Sequence, residues 1–292
     1  MYSLPIDYKE RPIVIVGAGT LGMRIALMMA TQGGEIRLVD NSAEQRCNAK
    51  TFIEEHLPGL LEKFQEGSKG TIILSDTIDT AVKDAWIVFE AIPEQLDLKT
   101  KLFGMLDQLA APDAILASNS SSFPSSQFIS QVSESGRTRV VNTHFYMPPL
   151  QKVVEIMSCG VTDPNIIITL MKLLPHYGGL VPFHVQKESV GFIFNRVWAA
   201  IKRECLEVVA SGVSTPEDVD RIFYVNTGVD IGPFREMDRI GLDVVLKIEE
   251  HYAALNPALP TGPRELLKKY IAEGKLGVKS GCGFYAYDKP QS

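Results

Sequence analysis

The chain has 292 residues, 45% of them apolar and 22% charged, with a net charge of −6. At ~100–200 residues per domain that is one large domain or two modest ones, and the balance excludes wholesale disorder, which needs low hydrophobicity and high net charge. Lys and Arg form no run that marks a basic surface for nucleic acid, and no apolar stretch approaches the ~20 residues that span a bilayer, so neither nucleic acid nor membrane is expected as a partner.

In chain order, Ile13-Val14-Ile15-Val16 is a β-rich apolar run ending at a glycine, the pattern of a parallel strand covered on both faces. Gly17-Ala18-Gly19-Thr20-Leu21-Gly22 follows, then helix formers over 23–31, a stop at Gly33-Gly34 and a second strand at 36–40, which completes a βαβ unit. Residues 41–66 read as a helix broken internally at Pro58-Gly59. Strands follow at 71–74, 86–91 and 114–117, the last two separated by a helix of about 17 residues begun by Pro93, where proline is tolerated. Strands at 139–145 and 152–157 flank Tyr146-Met147-Pro148-Pro149; Asp163-Pro164 opens another helix, and 180–185 is the last strand. Alternating strand and helix predicts a doubly wound α/β sheet.

Beyond about residue 187 the strand signals stop. Residues 190–211 read as one long helix, and Thr215-Pro216-Glu217-Asp218 is a helix start with a hydroxyl cap, proline at the first position and acid in the first turn. Gly232-Pro233 precedes a helix at 234–255, and Pro263 a final helix ending near Gly274. The expected division is an α/β domain over 1–187 and an all-helical domain over 188–292. The first eight residues lack the basic start and apolar stretch of a secretory signal, and Lys289-Pro290-Gln291-Ser292 is not a peroxisomal ending. Cys47, Cys159, Cys205 and Cys282 show no Cys-x-x-Cys pairing, so reduced thiols in the cytoplasm are expected, with no disulfide frame and no metal site.

Three groups of residues could carry chemistry. In the loop after the first strand, Gly17 allows a tight turn, Gly19 lets backbone approach a pyrophosphate, and Gly22 lets helix and strand pack closely. Thr20 and Leu21 lie within this loop, and the N-terminus of the helix that follows supplies positive dipole. Asp40, ending the next strand, is placed to bind adenosine ribose hydroxyls and would repel a 2′-phosphate, which favours NAD over NADP. Secondly, His144 and Glu155, on successive strands, can face each other across a hairpin, so that the carboxylate fixes the imidazole tautomer and stabilises the imidazolium of a general base. A His–Glu pair serves equally as a satisfied polar contact. Thirdly, the serines of Ser118-Asn119-Ser120-Ser121-Ser122, at a strand's carboxyl end, either bond a substrate oxygen or cap the next helix at Pro124, and Asn195, in an apolar helical stretch, either faces a cleft or bonds within the core. His56, His176, His184 and His251 have no ligand-like spacing and read as surface or packing residues.

Taken together, Gly17–Gly22 with Asp40, Glu90-Ala91-Ile92-Pro93-Glu94, Ser118–Ser122, His144-Phe145, Val153-Val154-Glu155, Gly191-Phe192-Ile193-Phe194-Asn195-Arg196, Gly232-Pro233-Phe234, Asp238, Gly241-Leu242-Asp243 and 279–285 resemble the L-3-hydroxyacyl-CoA dehydrogenase family along essentially the whole chain. The resemblance implies an NAD-binding Rossmann-type domain, then an all-helical C-terminal domain like that of 6-phosphogluconate dehydrogenase, which forms most of a homodimer interface. It implies a small-molecule substrate and hydride transfer between NAD(H) and a secondary alcohol or ketone. His144 then matches the catalytic base and Glu155 its partner. Ser121 matches a serine that meets substrate and nicotinamide, and Asn195 an asparagine that steadies the substrate oxygen. Glu94, Lys99 and Lys279 match contacts to the cofactor.

The chain departs from the family in two places. Where the family has His-Phe-Phe-Asn-Pro, this chain reads His144-Phe145-Tyr146-Met147-Pro148, so Met147 replaces an asparagine that helps place the nicotinamide. The stretch from Asp40 to Ser75 is shorter than in the fatty-acid enzymes, where it holds a helical hairpin that contacts CoA. Between Glu44 and Lys69 it mixes five acids (Glu44, Glu54, Glu55, Glu62, Glu66) with four bases (Arg46, Lys50, Lys63, Lys69), which is no basic cradle for a nucleotide. Glu94–Lys99 and Ser122–Ser126 look more like the branch that includes L-gulonate 3-dehydrogenase, lambda-crystallin and carnitine dehydrogenase. The reading that results is an NAD-dependent dehydrogenase of a compact non-CoA hydroxy or oxo compound. The alternatives are a dehydrogenase of short acyl-CoA and a non-catalytic, crystallin-like binding protein.

Overall fold

The computed structural model describes residues 1–64 and 67–288. Glu66, the expected end of the second helix and one of the acids counted above, and the C-terminal tetrapeptide 289–292 lie outside the described residues. The described chain forms two compact units, Met1–Ile193 and Phe194–Ser292.

The first unit runs β1 (Ile13–Val16), α1 (Thr20–Met29), β2 (Glu35–Val39), α2 (Ala43–Lys63), β3 (Thr71–Ser75), α3 (Ile78–Ala81), β4 (Ile87–Glu90), α4 (Leu96–Leu109), β5 (Ile115–Ser118), α5 (Glu134–Arg137), β6 (Val140–Phe145), β7 (Val153–Ser158), α6 (Pro164–Leu173) and β8 (Val181–Val185). The strands make one sheet in the order β3-β2-β1-β4-β5-β6-β7-β8. β1 to β6 are parallel, β7 runs antiparallel to β6, and β8 lies parallel to β7. Strand period explains the two apolar layers. Ile13 and Ile15 join Ile87 and Phe89 of β4 on one face, under α1, α2 and α6; Val14 and Val16 join Val88 on the other, under Leu102, Phe103 and Leu106 of α4. The order reverses between β1 and β4, and in such sheets ligands bind outside the carboxyl ends there. The register aligns those ends, pairing Val16 with Glu90, Glu90 with Ser118, and Ser118 with Asn142.

Several elements differ from the sequence reading. α2 passes through Pro58 unbroken: the buried stripe Ala49, Ile53, Leu57 anchors it to the core, while Pro58 and Glu54, whose carbonyl loses its donor, are exposed to water. α4 begins at Leu96 rather than Pro93, because Pro93 and Glu94 stay in the preceding loop, where Glu94 reaches across to Ser120 and Ser122. The long helix expected from 190 starts only at Phe194, since Gly191 (φ 75°) and Phe192 (φ 54°) are left-handed and cannot enter a right-handed helix. Residues 188–193 therefore belong with the sheet, six residues past the expected boundary at 187.

The second unit contains α7 (Phe194–Ala210), α8 (Pro216–Thr227), α9 (Pro233–Ile240), α10 (Leu242–Leu255) and α11 (Gly262–Ala272). The single helix expected over 234–255 is two, turned at Gly241 with φ 103°. Cys205, Leu206, Phe234, Met237, Leu242, Val245, Leu267 and Phe284 form its core. Asp238, fully buried, accepts the N–H groups of Phe284 and Tyr285 and the Tyr287 hydroxyl. It ties the C-terminal segment to α9, and leaving even one of these donors unpartnered inside the core would cost about 1–3 kcal/mol.

Candidate active site

The glycine loop is built by close approach. Gly17 turns with φ 104°, and a Cβ there would lie 2.5 Å from the Ala91 carbonyl oxygen; a Cβ on Gly22 would lie 1.8 Å from the Gly17 carbonyl oxygen. Around Gly19 nothing among the described residues stands within 4 Å of where a Cβ would be, so the loop is open to them on that side. Gly19, which has no side chain to bond the first N–H groups, caps α1, in whose first turn Thr20 and Leu21 stand and no acid does. An open glycine under an uncapped helix N-terminus fits a pyrophosphate. The Asp40 carboxylate accepts the Ala18 and Ser42 N–H groups, each at 2.8 Å, which holds it beside the loop.

The next strand end carries a buried ion cluster that the sequence reading quoted only as a motif. Glu90, fully buried, accepts Lys99 Nζ at 2.7 Å, the Ser118 hydroxyl at 2.6 Å and the Ile92 N–H at 2.9 Å. Lys99, 1% exposed, also meets Glu94 at 3.1 Å. Glu94 further accepts the Ser120 hydroxyl and the Ser122 N–H. Burial pushes the Glu90 carboxyl up against the pull of Lys99. For Glu94 burial is the largest influence but is outweighed by Lys99 and the serine donors, which hold it below the usual carboxylate range. Lys99, matched above to a cofactor contact, is enclosed, with its ammonium bonded to two carboxylates. The signal was in the sequence, because Lys99 shares a helical stripe with the buried Leu102, Phe103 and Leu106, and a lysine on such a stripe needs an internal partner. The serine alternatives separate: Ser118 and Ser120 bond Glu90 and Glu94, while Ser121 stands half-buried between Ser120 and Ser122 on the same loop. Asn119 accepts the Phe145 N–H at 2.9 Å, which ties this loop to the end of β6.

β6 and β7 set His144 directly opposite Glu155 in antiparallel register. Their exposures are 5% and 2%, and His144 Nδ1 lies 3.1 Å from Glu155 Oε2. The Tyr146 hydroxyl donates to the same oxygen at 2.7 Å, and the Ile193 N–H donates to Oε1 at 2.9 Å. Burial, and then the Glu155 carboxylate, hold the Tyr146 phenol well above the usual tyrosine range, so it stays a donor. The imidazole has the Tyr146 ring 4.6 Å away and that of Phe192 4.9 Å away, centroid to centroid. Because the carboxylate only accepts, the pair places the imidazole proton on Nδ1 and leaves the Nε2 lone pair free for proton transfer. Asn195 and Lys279 belong to the second unit, Asn195 in the first turn of α7 and Lys279 paired with Asp243. His56, His176, His184 and His251 are exposed.

Residues 12–189 match the model of the 3-hydroxyacyl-CoA dehydrogenase NAD binding domain, and residues 191–287 that of the 3-hydroxyacyl-CoA dehydrogenase C-terminal domain. The chain is 32% identical over 292 residues to a probable 3-hydroxybutyryl-CoA dehydrogenase of Bacillus subtilis, an alignment covering 97% of this chain and 99% of that protein. It is 30% identical over 290 residues to a 5-formyl-3-hydroxy-2-methylpyridine 4-carboxylate 5-dehydrogenase of Mesorhizobium japonicum, covering 97% and 92%. Among solved structures, a diketoreductase described as catalysing reactions of dicarbonyl compounds superposes with a TM-score of 0.80 at 29% identity, covering 95% of this chain and 99% of that one. With both domains matched in order and relatives aligned over nearly the full length of each chain, this chain belongs to the 3-hydroxyacyl-CoA dehydrogenase family of NAD-dependent oxidoreductases.

Proposed function

We propose that the protein interconverts a secondary alcohol and a ketone on a compact hydroxy or oxo substrate without CoA, with His144 as general acid–base and Glu155 as its partner. The observation that carries this reading is the buried His144–Glu155 pair, held at 3.1 Å by strand register. A dehydrogenase must remove the hydroxyl proton as hydride leaves; His144 Nε2 takes it in oxidation and returns it in reduction, and Glu155 stabilises the imidazolium formed between. NAD, when bound, accepts or supplies the hydride. The loop of Gly17, Gly19 and Gly22, with Thr20 and Leu21, holds the pyrophosphate, and Asp40 the adenosine ribose. Ser121, by the family resemblance, meets both substrate and nicotinamide, Asn195 steadies the substrate oxygen, and Glu94 and Lys279 meet the cofactor. Lys99 acts at one remove, by fixing Glu94.

The compact substrate is supported by α2, a single helix between β2 and β3 in which Lys50 pairs with Glu54. It offers no concentration of positive charge to a nucleotide. The names of the Mesorhizobium japonicum relative and the diketoreductase fit such a substrate. The Bacillus subtilis relative's name favours the second reading, a short acyl-CoA. Retention of His144, Glu155, Ser121 and Asn195 weighs against a crystallin-like binding protein. The second unit exposes Val213, Ile222, Tyr224, Val225 and Leu255, which suits a homodimer interface there. Four unbridged cysteines suit a reducing compartment such as the cytoplasm.

Asp40→Ala should narrow a strong preference for NAD(H) over NADP(H), measured by fluorescence titration; equal affinities in the unmodified protein would remove Asp40 from cofactor selection. His144→Ala should lose ~10²–10⁴ in turnover with NADH binding intact, and Glu155→Gln should also lose turnover; near-full activity in His144→Ala would sink the mechanism. In assays of NADH oxidation, acetoacetyl-CoA should gain little over its truncated pantetheine thioester, because remote contacts are what let a large substrate turn over well. A gain on the order of a hundredfold from the nucleotide end, about 2.7 kcal/mol, would restore the acyl-CoA reading. Sedimentation should give a dimer at micromolar concentration, and a monomer would contradict the interface.

A further inference from the structure

The carboxyl ends of the strands hold the site described above; a cavity lies at the amino ends of β1 and β2. It has a volume of about 260 Å³ and is found where β1 starts at Ile13 and β2 at Glu35. The turn between α1 and β2 makes room for it. Gly33 and Gly34 are both left-handed, with φ 74° and 72°, and bring no side chain into the space. Tyr8, Tyr177 and Trp86, the residue just before β4, wall the cavity. Tyr8 meets the Trp86 ring edge-on at 5.5 Å.

These aromatic walls carry hydrogen-bonding groups that the protein leaves unused. Trp86 is 3% and Tyr177 8% exposed. Among the described residues, none accepts the Trp86 indole N–H, and none bonds the Tyr8 or the Tyr177 hydroxyl. A buried N–H or hydroxyl without a partner costs free energy unless water or a ligand supplies one. Burial, and then the neighbouring Tyr8 phenol, hold the Tyr177 phenol above the usual tyrosine range, so it stays a donor.

Two of the charges around the cavity are already committed. Arg11 pairs with Asp113 at 2.7 Å and donates to the Asp84 and Ala85 carbonyls, and Glu35 pairs with Arg37 at 2.5 Å. Lys9, exposed on the segment before β1, has no carboxylate within 4 Å among the described residues. One ammonium and three neutral donors call for an acceptor that carries negative charge, and the walls call for a flat apolar body. An apolar cavity of about 150 Å³ holds a benzene ring, so the larger volume here admits a single ring with one substituent.

We propose that this cavity binds a one-ring aromatic carboxylate, its ring against Tyr8 and Trp86 and its carboxylate on the Tyr177 hydroxyl and the Lys9 ammonium. The site does not rest on the acid–base reading: no residue that lines it belongs to the glycine loop, to the serine loop after β5 or to the His144–Glu155 pair. It is a binding site apart from the catalytic one, at the opposite end of β1.

The experiment is a titration of the full chain with benzoate, followed by the NMR signals of the benzoate up to about 10 mM, since so small a ligand reaches about millimolar affinity. Benzamide, its neutral isostere, should bind more weakly. Lys9→Met should lose up to about fivefold in benzoate affinity, the worth of an exposed charge pair. Tyr177→Phe should lose about tenfold or more, the worth of a hydrogen bond to a charged group. Both variants should keep their melting temperature and NADH affinity, and saturating NADH should leave benzoate bound. Benzoate silent to about 10 mM, or bound as tightly by either variant, would overturn the site. Equal binding of benzamide would overturn the preference for a carboxylate, and displacement by inorganic phosphate alone the need for a ring. Displacement by NADH would move benzoate to the carboxyl ends of the strands and overturn the placement.

Discussion

Glu155 is a carboxylate almost wholly removed from water, and such a group persists as an anion only where the fold supplies donors in place of the solvent it has lost. Among the groups that supply them are His144 from β6, Tyr146 from the residue after that strand, and the Ile193 N–H from the segment that leads to α7. Each is fixed by something else. The antiparallel register puts His144 opposite Glu155, Asn119 holds the Phe145 N–H between the two β6-side donors, and the left-handed turn at Gly191–Phe192 delivers the Ile193 N–H. The requirement of one buried charge therefore organises the carboxyl edge of the sheet on the side away from the glycine loop.

The turn at Phe192 shows how that requirement is met against local preference. A left-handed conformation costs a non-glycine residue about 1–2 kcal/mol. Burying the Phe192 ring, at 2% exposure against the imidazole, returns about 1.5–3 kcal/mol, and the same turn brings the Ile193 N–H to Glu155. A helix continuing from 190, as the residue pattern suggested, would avoid the strain and forfeit both contacts.

That example marks where the sequence could be read and where it could not. Alternation of Ile13, Val14, Ile15 and Val16 made the doubly covered sheet legible, because period two is a local property. The glycine loop was legible for the same reason: Gly17 and Gly22 are dictated by backbone approach within one βαβ unit. His144 and Glu155 could be paired from strand order alone. The helix through Pro58 could not, since it depends on which side of α2 faces water. Nor could the commitments of Lys99 and Asp238, whose partners are set by tertiary packing. Asp238 and the C-terminal segment marked the family in sequence, yet their observed contacts join α9 to the chain end within the helical unit.

The edge of the sheet thus carries two buried carboxylates in similar surroundings, and their partners divide the labour between them. Each accepts a hydroxyl and a backbone N–H: Ser118 and Ile92 for Glu90, Tyr146 and Ile193 for Glu155. Glu90 faces the Lys99 ammonium, which also meets Glu94 and so joins Glu90 to the serine loop that Glu94 holds. Glu155 faces an imidazole, the side chain whose charge ordinarily changes between pH 5 and 8. The two arrangements differ in the partner, an ammonium on α4 against an imidazole on β6, and strand register sets that imidazole opposite Glu155 at the carboxyl end of β6.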